Sequence, residues 1–147
     1  MPQTPVSPSS VSIALAQARE TVLSYFRPVL NEAGLTEQQW RIIHVLSENG
    51  TVDFQDLAVQ TSILRPSLTG MLTRMEQAGW VVRLKPAKDQ RRVFVKLSSQ
   101  GKRLHENTRD KIAACQQQLE QDLGSDNLKS LYAMLHRLNS LAADSEA

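Results

Sequence analysis

The stretch RPSLTGMLTRMEQAGWVVRLKPAKDQRRVFVKL, residues 65–97, changes its hydrophobic period halfway. Over residues 65–79, Leu68, Met71, Leu72 and Met75 recur at helical intervals, Pro66 sits in the first turn and Gly79 closes the run. From Trp80 the period falls to two: Trp80, Val82 and Leu84 alternate with Val81, Arg83 and Lys85, and Val93, Val95 and Leu97 alternate with Phe94 and Lys96. The turn-forming PAKDQ between them predicts a β-hairpin. A helix that runs straight into a two-stranded hairpin is half of a winged helix-turn-helix.

The upstream sequence supplies the other half. In LTEQQWRIIHVLSENG, residues 35–50, Thr36 and Gln39 have capping-box spacing, Trp40, Ile43 and Leu46 follow on one face, and Gly50 is a stop signal. Asp53 can cap a short helix FQDLAVQ with Phe54, Leu57 and Ala58 inward, and TSIL is a brief turn into the helix at Arg65. Residues 11–31 read as a further helix, ended by Gly34, in which Pro28 should introduce a kink or a new turn. Residues 99–123 and 126–142 read as two more, broken at Gly124 and Ser125. The fold class is thus mainly α with a small β-hairpin: a winged helix-turn-helix domain at 35–98, flanked by helices at 11–34 and 99–142. A Pro- and Ser-rich start, residues 1–10, reads as a disordered tail.

Charge shows what the folded unit faces. The 147-residue chain carries only +2, but residues 65–103 hold ten Lys/Arg and two acids, a local +8 that leaves −6 elsewhere. This is the footprint of a polyanion-binding surface; a solvated basic face is the bland alternative. With its apolar stripe turned inward, the helix at 65–79 presents Arg65, Ser67, Thr69, Gly70, Thr73, Arg74 and Gln77, side chains suited to base edges and phosphates in a major groove. Pro66 belongs to the same first turn. Gly70 weakens the helix, either because DNA must come close or because a neighbouring helix does. At the hairpin tip Lys88, Arg91 and Arg92 meet a single acid, Asp89. Arg91 is placed to enter a minor groove, with Asp89 holding its guanidinium.

The two ends predict a dimer. Leu128, Leu131, Leu135 and Leu138 would leave an apolar stripe open on a monomer, and specific DNA sites usually engage a pair of modules. Two-fold symmetry implies a pseudo-palindromic operator with half-sites about one helical turn apart. An intrachain bundle is the alternative.

A small-molecule site is suggested by Arg19. At about 100° per residue it falls between Phe26 and Leu30 on the apolar face of the first helix, where a cation needs an acid partner. That acid is either a protein residue or an aromatic acid ligand. Trp40 and His44 lie one turn apart on the next helix with Arg41 beside them, an aromatic wall with polar groups. The candidate ligand residues are Arg19, Phe26, Trp40, Arg41 and His44.

Other classes find little support. No phosphate loop, nucleophile elbow or metal-ligand spacing appears, and His44, His105 and His136 are scattered in sequence, so neither an enzyme nor a metal site is expected. A single cysteine, Cys115, rules out an intramolecular disulfide and suits a reducing cytoplasm; it lies on a stripe with Ile112 and Leu119, where a small apolar side chain belongs. No apolar run reaches the ~20 residues of a membrane span, and the N-terminus lacks signal-peptide character. RNA as the polyanion is not excluded by charge, although only Phe94 offers a stacking ring near the hairpin.

Taken jointly, RPSLTGMLTRMEQAGWVVR, the wing DQRR and the following VFVKLSSQG resemble the MarR family of bacterial transcriptional regulators over residues 11–142. The family's wing pattern is met by Asp89, Arg91, Leu97 and Gly101, with Ser98 where Thr is usual. Within it, LTEQQWRI and ILRPSLTG are similar to regulators of homoprotocatechuate (hydroxyphenylacetate) catabolic operons. That resemblance implies a homodimeric repressor of double-stranded operator DNA, released by a small aromatic carboxylate such as 4-hydroxyphenylacetate or 3,4-dihydroxyphenylacetate. A different phenolic effector, or oxidation of Cys115, is the alternative trigger.

Overall fold

The structure is a computed structural model that describes residues 10–89 and 91–146, with side chains to residue 142. The expected tail at 1–10 lies, apart from Ser10, outside these residues, as does Gln90 in the wing. The elements run α1 (Val11–Ala33), α2 (Glu37–Asn49), β1 (Val52–Asp53), α3 (Phe54–Thr61), α4 (Arg65–Gln77), β2 (Val81–Leu84), β3 (Phe94–Leu97), α5 (Ser99–Leu123) and α6 (Ser125–Glu146).

Local signals set most boundaries. Thr36 and Gln39 close the capping box that starts α2, each side chain bonding the other's backbone N–H at 3.0 Å. Asp53 caps α3 by accepting from the Gln55 N–H at 2.9 Å. The turn from α3 to α4 is made by Ser62 in the left-handed region, φ 56°, a conformation side chains other than glycine adopt at a cost. Helix α1 continues through Pro28 rather than restarting there.

The hairpin is part of a three-stranded antiparallel sheet, because the two-residue β1 pairs with β3 on the side away from β2. Val52 stands opposite Val95, and Val81 opposite Leu97. The sheet turns Val81, Val95 and Leu97 into the core, leaving Leu84 and Lys96 outside. Beneath it Ile42, Ile43 and Leu46 of α2, Leu57 of α3, and Leu68, Leu72 and Met75 of α4 are fully buried. Each such side chain is worth about 1.5–3 kcal/mol relative to exposure, so this interlock fixes how α4 is presented.

Helix α5 joins this unit through a tight corner. The Ser98 hydroxyl donates to the Gly79 carbonyl and accepts from the Gly101 N–H, while the Ser98 N–H donates to the Trp80 carbonyl at 3.0 Å. A Cβ built on Gly101 would fall 2.1 Å from that carbonyl, so only glycine fits there. Beyond the corner α5 packs along α1, with Tyr25 donating to Asp122 at 2.7 Å and Lys111 pairing with Glu32 at 3.0 Å. Only part of the predicted α6 stripe stays open in the single chain: Leu131 and Leu138 are exposed, but Leu135 is half-buried and Leu128 is buried within the chain. Tyr132, Met134 and Leu141 add to the exposed surface, as do Val11, Ile13 and Leu15 at the start of α1.

Candidate nucleic-acid interface and effector cleft

Helix α4 buries the four apolar residues that its periodicity predicts and exposes Arg65, Pro66, Ser67, Thr69 and Arg74. Thr69 and Thr73 donate their hydroxyls to the carbonyls of Arg65 and Thr69, both at 3.1 Å. Their protons are occupied, so they offer a methyl group and an acceptor oxygen to a partner. Arg65 opens the helix with no acid in its first turn, an unfavourable charge on a free N-terminus but a favourable one once an anion arrives. Gly70 now has a narrower explanation: a Cβ there meets nothing closer than Arg74 Nη1 at 3.7 Å, so no neighbouring helix demands glycine. Val59 and Leu64 are exposed beside the α4 N-terminus, Leu64 at 79%. Periodicity within single helices gave no hint of them, because both flank the turn.

The wing divides its arginines. Arg91 is 97% exposed; Asp89 accepts from its backbone N–H at 3.1 Å, while the guanidinium stands 3.7 Å from the same carboxylate. Asp89 therefore shapes the turn more than it holds the guanidinium. Arg92 instead pairs with Asp53 at 3.1 Å and lies over the Phe94 ring, 4.9 Å from its centroid, which covers the ring that RNA stacking would need. Asp53 is held below the usual carboxylate range by the Gln55 N–H and by Arg92, so it stays charged and ties the wing to the start of α3. Lys88 is exposed near the tip.

A cleft of about 320 Å³ opens between α1, α2 and α5. Val22, Leu23, Phe26 and Leu30 form one wall, Trp40 and His44 a second, and Ile112 a third. The polar groups facing it are Glu37, His44, Arg109 and Gln116. Of the ligand candidates, Phe26, Trp40 and His44 line the cleft. Arg19 and Arg41 do not; both grip Glu37, at 3.2 and 3.0 Å, and Arg41 also donates to the Thr61 carbonyl at 2.6 Å. The acid that Arg19 needs is thus Glu37 of the same chain. Glu37 was legible as a cleft residue, because it lies one turn before Trp40 and two before His44. Arg109 was not: it comes from α5, and only the fold brings it to α2.

The histidines are less scattered than the sequence suggests. His44 Nδ1 lies 3.2 Å from His105 Nε2, and the two rings and Trp40 stand mutually near-parallel, with centroids 5.2–5.6 Å apart. Burial, then the charges of His44 and Arg109, push His105 below its ordinary value. Among the described residues no group of three His, Cys, Asp or Glu is placed to hold a metal. Cys115 is free and half-buried on α5. No helix among the described residues is long and apolar enough to cross a membrane.

The MarR family profile matches residues 35–93, the span from α2 to the wing. The chain is 53% identical to the HTH-type transcriptional regulator FarR of Neisseria gonorrhoeae, over 88% of this chain and 89% of that one. It is 45% identical to the homoprotocatechuate degradative operon repressor of Escherichia coli, over 90% and 89%. The crystal structure of NadR in complex with 4-hydroxyphenylacetate matches with a TM-score of 0.76 and 51% identity, covering 94% of this chain and 97% of that one. Identity at this level runs beyond the reading head into α1 and α5, and the chain belongs to the MarR family as a winged-helix DNA-binding transcriptional regulator, not an enzyme.

Proposed function

We propose that this regulator represses an aromatic-acid catabolic operon of the homoprotocatechuate/4-hydroxyphenylacetate type, as a homodimer on a pseudo-palindromic operator in the cytoplasm. A small aromatic carboxylate, 4-hydroxyphenylacetate or 3,4-dihydroxyphenylacetate, releases it. The observation that carries this reading is the chemistry of the α1/α2/α5 cleft. Its aromatic and aliphatic walls suit one benzene ring, and its polar lining includes both an acid, Glu37, and basic groups, His44 and Arg109. Glu37, already neutralised by Arg19 and Arg41, is an acceptor for a phenol hydroxyl. Arg109 and His44 are donors for a carboxylate. NadR, solved with 4-hydroxyphenylacetate, supports that ligand class.

Position explains how a ligand would act. The cleft is walled by α1, whose start is an open apolar face, by α5, which leads into the exposed apolar residues of α6, and by α2, which shares one hydrophobic core with α4. Pairing of two chains through α1 and α6 covers those faces. A ligand wedged between α2 and the α1/α5 pair then changes the separation of the two α4 helices, and favours release to the extent that it binds the DNA-free arrangement better. In the bound state α4 enters the major groove through Arg65, Ser67, Thr69, Thr73 and Arg74, and Arg91 reaches the minor groove.

The test is a gel shift on the protein's own upstream DNA. Retention of duplex that is lost on titration with either acid is the expected result. Retention that neither acid reverses removes the effector, and preference for RNA over duplex removes the repressor reading.

A further inference from the structure

The histidine pair sits in a line of polar contacts: two hydrogen bonds, Ser47 to His105 and His105 to His44, and an ion-pair contact from His44 to Glu48. Ser47 Oγ lies 3.1 Å from His105 Nδ1, His105 Nε2 lies 3.2 Å from His44 Nδ1, and His44 Nε2 lies 3.1 Å from Glu48 Oε1. Its two ends open into different clefts. His44 faces the effector cleft, whereas Ser47 and His105 line a second opening of about 370 Å³ beside Lys96, Lys102 and Glu106.

The donors and acceptors fix the proton positions. The Glu48 carboxylate, 3.1 Å from Nε2, can only accept, which favours neutral His44 with its proton on Nε2 and leaves Nδ1 to accept. His105 must then carry its proton on Nε2, and its Nδ1 accepts from Ser47. Adding a charge to His44 reverses the line. Its Nδ1 becomes a donor, His105 Nε2 becomes the acceptor, and His105 must hold its proton on Nδ1 and donate to Ser47. Both arrangements satisfy every atom; the two rings cannot both be charged, because two N–H groups would meet head to head.

We propose that an aromatic carboxylate enters the cleft as an anion together with one proton, taken up by His44, and that His105 is the positioning residue that makes this possible. The inference rests on reading the cleft as the effector site. The step balances as a relay: a solvent proton reaches His105 Nδ1 through Ser47 in the second cleft, the Nε2 proton of His105 passes to His44 Nδ1, and the pair gains one positive charge. His105 ends neutral, the form that its burial and the neighbouring Arg109 favour. The carboxylate takes over from Glu48, 64% exposed, as the anionic partner of His44.

The surroundings favour placing the charge on His44. On α2, Glu37 is cancelled by Arg19 and Arg41, and Glu48 is largely exposed, so water can replace His44 beside it when a ligand arrives. On α5, Arg109 opposes a second cation at His105 and Glu106 lies toward the second cleft. The wall from α1 is apolar there, so a bare carboxylate would otherwise meet Arg109 alone.

Calorimetry of 4-hydroxyphenylacetate binding, repeated in buffers of different ionisation enthalpy, measures the proton directly. About one proton should be taken up above neutral pH, with affinity falling about tenfold per pH unit, whereas 4-hydroxyphenylacetamide should bind without uptake. Nitrogen NMR of the imidazoles should show His105 moving from the Nε2–H to the Nδ1–H tautomer as the acid is added. H105F, which keeps a ring against Trp40, should flatten the pH profile. H105Q, whose amide can turn either atom toward His44, should restore it. Binding of the acid without proton uptake, or an H105F profile equal to the parent's, overturns this inference and leaves the effector reading standing. No binding of any aromatic carboxylate overturns both. Should H105F fail to fold, calorimetry and NMR on the unaltered protein decide.

Discussion

Gly70→Ala should make the protein more stable and worse at its task. Gly70 sits mid-helix in α4 with an ordinary helical φ, and the added methyl would meet only the tip of Arg74 at 3.7 Å, an ordinary van der Waals contact. Nothing is crowded, so the change removes glycine's backbone entropy at about 0.5–1 kcal/mol in favour of folding. In a chain of this size that raises Tm by roughly 2–4 °C per kcal/mol. The methyl protrudes on the face shared with Thr73 and Arg74, where the duplex would come within contact distance. A loss of about 1–3 kcal/mol in operator binding, a factor of roughly 5–150, follows if that approach is close, since this is the scale at which one misfitted contact acts in such interfaces. The two effects are read separately, by thermal melting at fixed protein concentration and by fluorescence anisotropy on labelled operator at constant salt. A variant that melts higher and binds operator as tightly as the parent would show that α4 does not present this face to DNA. One that melts lower would show that the space around Gly70 is not open.

Further outcomes follow from the same geometry. Arg91→Ala leaves the melting temperature unchanged, because the side chain is almost wholly exposed, but weakens operator binding and lowers the slope of log K against log salt by about one unit. Leu138→Asp, at an exposed position in the single chain, should leave helicity intact by circular dichroism and shift sedimentation from dimer toward monomer. Stability should fall as pH drops below about 6.5: His105 is depressed in the fold, so the unfolded chain binds more protons there and acid favours unfolding, by at most about 1.4 kcal/mol per pH unit. Asp53 and Glu76 are depressed too, Asp53 chiefly by the Gln55 N–H and Glu76 by Arg83, but their stabilisation is lost only below their unfolded values of 3.8 and 4.5. Urea melts at two pH values on either side of 6 separate the two effects, and H105F should flatten the histidine part.

What could be read in advance was what depends on neighbours in sequence. The caps at Thr36 and Asp53, the stripe of α4 and the alternation of the wing strands are all set within a few residues, and all occur where their signals lie. The strand β1 was missed because two residues cannot show a period; only pairing with Val95 and Phe94 makes Val52 and Asp53 a strand. The cleft was half legible for the same reason. Phe26, Trp40 and His44 declared themselves by spacing on α1 and α2, but Arg109 arrives on α5 more than sixty residues later. Arg19 does meet an acid, Glu37, but its side chain is 55% exposed rather than sunk in an apolar face, and periodicity on one helix could not show that Glu37 on the next would be the partner.

The corner at Ser98 and Gly101 has a genetic consequence. It welds the wing's last strand to a helix that lines the α1/α2/α5 cleft, through atoms that belong neither to the exposed face of α4 nor to that cleft. Lesions there should surface in a selection for strains that express the controlled genes constitutively, although a map of either recognition surface would never implicate them. With the sites as proposed, drift at the wing tip would retune sequence preference and drift around Phe26 would retune the inducer, while this hinge-point must be inherited unaltered for either kind of novelty to be felt by the other.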